Sequence, residues 1–136
     1  MEKFFRAPTK SSPLVDFDPE SRRLTLSGAS YPENTAAFYE PAIAWLRAFL
    51  EEGVPNIDFD IELKYFDSSS SKVLMDIFDL IEDAVESAGT SVVVNWRYLE
   101  IDTMSKEYGE EFLEDLNKIT FNLVSIPASS GDGEAG

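Results

Sequence analysis

From Asn56 to Phe66 apolar and charged side chains alternate without a break. Ile57, Phe59, Ile61, Leu63 and Tyr65 point one way, and Asp58, Asp60, Glu62 and Lys64 the other. A period of two marks a strand with one buried and one solvated face, which belongs to a sheet covered by helices on one side only. The stretch from Ser69 to Ser87 repeats instead at helical spacing, with Val73, Ile77, Leu80, Ile81, Ala84 and Ala88 expected inward. Gly89 then separates it from a further strand, Ser91 to Tyr98. Strand, helix and strand in this order form a right-handed parallel crossover, so the sheet is at least partly parallel.

The flanking segments extend this unit. Leu14-Val15-Asp16-Phe17 and Leu24-Thr25-Leu26 alternate around the turn residues Asp18 and Pro19, which predicts a β-hairpin. Phe38, Tyr39, Ala42, Trp45, Leu46, Phe49 and Leu50 share one side of a helix that Asn34 caps and Gly53 ends. Pro41 lies on the opposite side and predicts a kink or the effective start of that helix. A third helix is expected from Lys106 to Lys118, anchored by Tyr108, Phe112, Leu116 and Ile119, before a last strand at Phe121–Ile126. The expected fold is α/β: one domain with a mixed, partly parallel sheet of about five strands and three helices mainly on one face. It spans residues 12–127, between a flexible N-terminal segment (1–11) and a disordered tail (128–136) with nothing to bury.

Charge and composition narrow the function. The chain carries 26 acidic and 11 basic side chains, a net charge of −15, which opposes nucleic acid and anionic lipid. Cys and His are both absent, which excludes thiol catalysis, a His-based triad and zinc held by either residue. Neither a catalytic set, a metal site nor a cofactor is expected. No stretch is long and apolar enough to span a bilayer, and Met1 to Arg6 lead into polar sequence rather than a signal-peptide core, so the expected location is cytoplasmic. Proteins with a neutral or basic docking surface are the expected partners.

Asp67-Ser68-Ser69-Ser70-Ser71 falls where the Asn56–Phe66 strand ends and the next helix begins, the end of an open α/β sheet at which sites collect. One of these residues suffices to cap the helix. The others suit a phosphorylation site, where free backbone N–H groups and the positive end of the helix dipole meet an anion. On the helix that follows, Met75 falls on the arc of Lys72, Asp79, Glu82 and Glu86, with Phe78 at its edge, so this face is expected to dock a partner, a neighbouring element or a second copy. Asp76 and Asp79 read as solvated surface, as does the acidic run from Glu100 to Asp115. Tyr31-Pro32-Glu33-Asn34 combines an aromatic, a rigid turn and a cap, and Tyr31 either packs over the helix start or joins a recognition surface.

Ser30-Tyr31-Pro32-Glu33-Asn34, followed by Tyr65-Phe66-Asp67-Ser68-Ser69-Ser70-Ser71-Lys72 and Met75-Asp76-Ile77-Phe78-Asp79-Leu80, resembles the SiaC family of bacterial regulatory phosphoproteins, from about Ser12 to Ile126. The resemblance implies a fold similar to the STAS domains of anti-anti-sigma factors. It also implies a switch set by a cognate serine/threonine protein kinase and a PP2C-like phosphatase, and an unphosphorylated form that binds and activates a diguanylate cyclase, raising cyclic di-GMP and promoting biofilm growth. The family's phosphorylated threonine falls on Ser68 and the preceding Asn on Asp67, with Ser69 as a second candidate hydroxyl. Tyr31, Glu33, Asn34, Asp67, Ser70, Lys72, Met75, Phe78 and Asp79 are then the expected partner-binding residues. A constitutive binding or structural module of the same fold is the alternative reading, ahead of a carboxylate- or metal-dependent enzyme.

Overall fold

A computed structural model describes residues 1–127; the expected tail at 128–136 lies outside the described residues. In chain order the elements are β1 (Phe4–Arg6), β2 (Leu14–Asp18), β3 (Arg23–Ser30), α1 (Thr35–Glu51), β4 (Asn56–Phe66), α2 (Ser68–Ala88), β5 (Ser91–Leu99), α3 (Thr103–Asp115) and β6 (Thr120–Ile126). The strands lie side by side in the same order as in the sequence. β1, β2 and β3 pair antiparallel, whereas β3 to β6 are parallel neighbours joined by α1, α2 and α3. Each crossover steps to the adjacent strand in the same direction, so the right-handed rule puts all three helices on one face. None of the described helices is long and apolar enough to cross a membrane.

The core lies between that face and the helices. Val15, Phe17, Leu24, Leu26, Ile57, Phe59, Ile61, Val92, Val94 and Trp96 rise from the strands to meet Tyr39, Leu46, Phe49, Leu74, Ile77, Phe78 and Ile81. On the bare face Thr25, Asp60, Asn95 and Asn122 sit in one cross-strand row. Arg23 reaches Asp60 at 2.8 Å and Arg97 at 3.7 Å. Asn95 Nδ2 donates to Asp60 Oδ1 and Asn122 Nδ2 to Asn95 Oδ1. The alternating carboxylates of β4 thus face outward as expected, with Asp60 held by two guanidinium groups.

Several boundaries differ from the sequence expectation for physical reasons. There are six strands because part of the segment expected to be flexible forms β1, held by Phe4 against Phe17 (6.1 Å between ring centres) and by Trp45 Nε1 donating to the Glu2 carbonyl. α1 continues from Thr35 straight through Pro41, whose missing N–H falls on an exposed position. α3 begins at Thr103, since Asp102 rather than a later residue caps it, and Leu116 reaches the core from the extended backbone after Asp115. The buried arc of α2 is rotated from the expected one. Leu74 and Phe78 are fully buried, whereas Val73 and Leu80 are half-buried and Ala88 is exposed. The cause is tertiary, because the Phe78 ring is enclosed by Phe59, Phe112 and Phe121.

α3 approaches the sheet at Gly109. A Cβ there would stand 2.6 Å from Trp96 Cδ1 and 2.7 Å from Leu123 Cδ2. The Trp96 indole has no room to yield, being buried and donating through Nε1 to the Ser105 carbonyl. Gly109→Val regains little helix propensity and overpacks this contact, so a loss of about 2–3 kcal/mol in unfolding free energy, read as a lower denaturant midpoint at unchanged slope, is expected.

Candidate functional site

The same device closes all three corners at the carboxyl ends of β3, β4 and β5. Asn34, Asp67 and Asp102 each cap the next helix by accepting the N–H three residues on, from Ala37, Ser70 and Ser105, at 3.0, 2.9 and 3.0 Å. The first two corners are also bolted together. The Asp67 N–H donates to the Ser30 carbonyl, and the Ser70 hydroxyl donates to the same carbonyl at 2.9 Å. Ser30 Oγ in turn lies 2.7 Å from Ser70 Oγ and 2.6 Å from the Tyr39 hydroxyl. Ser30, Ser70 and Tyr39 are all buried, so this chain of hydroxyls satisfies polar groups that would otherwise be costly.

These contacts divide the Ser run into distinct roles. Asp67 is the cap, Ser70 is the buried bolt, and Ser68 and Ser69 stand exposed on the first turn of α2. The opening N–H groups of a helix have no intrahelical acceptor. With Asp67 serving Ser70, and its carbonyl serving Ser71, those of Ser68 and Ser69 face outward at the positive end of the dipole. Lys72 is exposed one turn further on.

A bulge shapes the neighbouring surface. Gly28 pairs with Leu63 but Ala29 pairs with Tyr65, so Lys64 has no counterpart on β3, and Gly28 takes a φ of 116° that only glycine adopts easily. Beyond the bulge the alternation reverses. Tyr65, expected inward, is 73% exposed, and Phe66 turns inward onto Trp96 and Tyr108. Tyr31 and Tyr65 then flank a shallow depression of about 330 Å³ floored by Phe66 and Asp67, next to Ser68.

The expected partner-binding residues do not all share this place. Tyr31 and Asp67 line the depression, and Ser68 follows Asp67 in the chain. Phe78 is 0% exposed and Ser70 equally so; both belong to the interior, a correction to their expected place on a docking surface. Met75 is half-buried against the core. Asn34 caps α1, and Glu33 is exposed beside it. Asp79 is exposed eleven residues along α2 from Ser68, about 16 Å at 1.5 Å per residue. It borders a separate groove with Arg47, Asp76 and Asp83. Sequence reasoning missed Ile101 and Met104, 71% and 66% exposed at the start of α3. Their signal is two large apolar side chains beside Glu100 and Asp102, ahead of the inward-facing Tyr108 and Phe112.

The family model described as SiaC family regulatory phosphoprotein matches residues 6–126. The chain belongs to the SiaC family. SiaC of Pseudomonas aeruginosa has the same fold at 32% identity, with a TM-score of 0.81 over 93% of this chain and 99% of that one. Apo-SiaC from the same organism aligns with a TM-score of 0.77 over 92% and 98% of the two chains, also at 32% identity. A third structure is the diguanylate cyclase SiaD in complex with its activator SiaC, from Pseudomonas aeruginosa, in which the matched chain is 32% identical with a TM-score of 0.79 over 91% and 98%. An uncharacterized protein of Pseudomonas aeruginosa strain UCBPP-PA14 is 37% identical over 107 residues, covering 79% of this chain and 84% of its own length. This SiaC-family chain is therefore built as a regulatory phosphoprotein, and its six-stranded mixed sheet with three helices matches the SiaC structures.

Two titrating groups report on the site and its surroundings. Burial, reinforced by the Asp67 charge, raises the Tyr39 phenol above its ordinary value, against the hydrogen bonds from Ser30 and Ser70 that favour its ionised form. A raised folded-state pKa means that the stabilisation is whole below the unfolded value of about 10 and is lost as pH rises past it. Tyr39→Phe should cost about 1 kcal/mol at neutral pH through the lost hydrogen bond, and the deficit should shrink above about pH 10 in urea melts. Local desolvation, then repulsion from Asp76, Glu82 and Asp83, raises the Asp79 carboxyl. Its ionised form opposes folding, so Asp79→Asn should raise the thermal midpoint at pH 7, and the gain should vanish below about pH 4, where both states are protonated.

Proposed function

We propose that this chain is a non-enzymatic, phosphorylation-switched regulator in the cytoplasm, which in its unmodified form binds and activates a diguanylate cyclase. The observation that carries the reading is the division of labour in the Ser run. Ser68 and Ser69 offer exposed hydroxyls at a helix N-terminus, while Asp67 and Ser70 hold the corner in shape behind them. Ser68 is the modified residue, and Ser69 is the secondary candidate. The activator role of the 32% identical SiaC toward SiaD supports a cyclase as the partner. The absence of His and Cys supports a role without chemistry of its own. A cognate serine/threonine kinase adds the phosphate and a PP2C-like phosphatase removes it.

The physics of release is local. Phosphate adds about −1.5 to −2 charges at Ser68, beside the Asp67 carboxylate and the exposed rings of Tyr31 and Tyr65. Docking against those rings strips water from the surface, and a hydrated dianion resists that stripping. The anion is tolerated in the free protein because the helix end faces it. Binding of purified diguanylate cyclase from the same cells should persist in Ser68→Ala and weaken at least about tenfold in Ser68→Asp. Intact-mass and site mapping of the native protein, before and after phosphatase treatment, should place a phosphate on Ser68. Unmodified protein under all growth conditions would overturn the switch.

A further inference from the structure

We infer that the cavity between the ends of β4 and β5 and the start of α3 is a binding site for a small uncharged molecule with an apolar body and one carbonyl head. The inference goes beyond the switch at Ser68, with which the cavity shares its Tyr65 and Phe66 wall. The cavity holds about 450 Å³ and is walled mainly by Phe66, Leu99, Ile101, Met104 and Tyr108, the size and lining of a small-molecule site. Ser105 supplies the polar group. It also lines the cavity, is 2% exposed, and its Oγ has no hydrogen-bond partner among the described residues. The corner before α2 shows what such a residue does when it is satisfied. Asp67 and Asp102 cap their helices through the N–H three residues on, which makes Ser105 the counterpart of Ser70. Ser70 Oγ donates to the Ser30 carbonyl, a bond for which Ser105 Oγ has no equivalent. A buried hydroxyl left unpaired is costly, and a ligand oxygen that accepts from it removes the cost.

Charge and donor supply select the occupant. Lys64 and Asp102 border the cavity with opposite signs. A cationic head meets the Lys64 ammonium and the positive end of α3, and an anionic head meets the Asp102 carboxylate in a chain of net charge −15. An uncharged head meets neither penalty. Of the opening N–H groups of α3, that of Thr103 donates to the Ile101 carbonyl, that of Ser105 to Asp102 Oδ1 and that of Lys106 to the Asp102 carbonyl, which leaves the Met104 N–H without an intrahelical acceptor. The groups in want of a partner are therefore donors, the Met104 N–H and the Ser105 O–H, and a carbonyl oxygen suits either. Ile101 and Met104 are left exposed by the fold, and an apolar body in the cavity covers them.

The test titrates the full-length ¹⁵N-labelled chain with octanamide, octanoate and octylammonium, which have similar apolar bodies and differ in head charge. Saturable binding of octanamide is expected, at least about tenfold tighter than either charged probe, because an ion loses its water on entry. The largest amide shifts should fall on Leu99, Met104 and Ser105. Ser105→Ala should weaken octanamide about three- to tenfold through the lost hydrogen bond. The same variant should hold or raise the urea midpoint of the free chain, since the hydroxyl it deletes has no partner there. Ser70→Ala, which removes a bond already made, should lower that midpoint. Leu113→Ser, at an exposed position of α3 outside the cavity, should leave octanamide binding unchanged. Absence of saturable binding, octanoate or octylammonium as tight as octanamide, shifts centred on the α1–α2 groove, or unaltered affinity in Ser105→Ala would overturn the inference. So would a midpoint lowered as far by Ser105→Ala as by Ser70→Ala, which assigns the Ser105 hydroxyl to the fold rather than to a ligand.

Discussion

Parallel strands that are neighbours both in sequence and in the sheet leave their connecting helices no choice of side. β3, β4, β5 and β6 advance in one direction, and right-handed crossovers stack α1, α2 and α3 over the same face. Everything else in the molecule follows from that asymmetry. The covered face has to be apolar from Val15 to Phe121, and the bare one has to satisfy itself, which it does through Asp60, Arg23, Arg97 and the two asparagines. It also brings three helix N-termini to one end of the sheet, each with an Asn or Asp cap.

That end is rigid where it is buried and open where it is not. The Ser30, Ser70 and Tyr39 hydroxyls join β3, α1 and α2 at a single point beneath the first turn of α2. The proposed modification of Ser68 would therefore change the charge of a platform held by these hydroxyls. Regulation of this kind needs no large conformational change in the regulator, because the altered quantity is the surface a partner meets.

Features set locally were legible in the sequence: the alternation of Ile57 to Leu63, the cap at Asn34, the inward side of α1, and the crossover from β4 to β5, whereas the local sequence leaves the cap of α2 open between Asp67 and Ser68. Those set by a second element were not. β1 is three residues without a pattern of its own, fixed by Phe17 and Trp45. Phe78 reads as an edge residue until Phe112 and Phe121 close over it. Tyr65 follows the period of its strand faithfully in sequence, and only pairing with Gly28 and Ala29 reveals the extra residue that turns it outward. Ile101 and Met104 were masked by the carboxylates around them. The Ser run marks the corner between β4 and α2, yet which serine is structural depends on Ser30, forty residues away.

The bulge at Lys64 divides one strand between two masters. Up to Leu63 every second side chain answers to packing, and any change in its volume is felt throughout the interior. One residue later the phase is inverted, and Tyr65 answers only to whatever lies outside. Phe66 is returned to the interior immediately afterwards, so the exposed Lys64 and Tyr65 lie between Leu63 and Phe66, which pack inward. The strand thus carries an exchangeable side chain on a constrained stem: position 65 is free to vary while the scaffold beneath it keeps its shape.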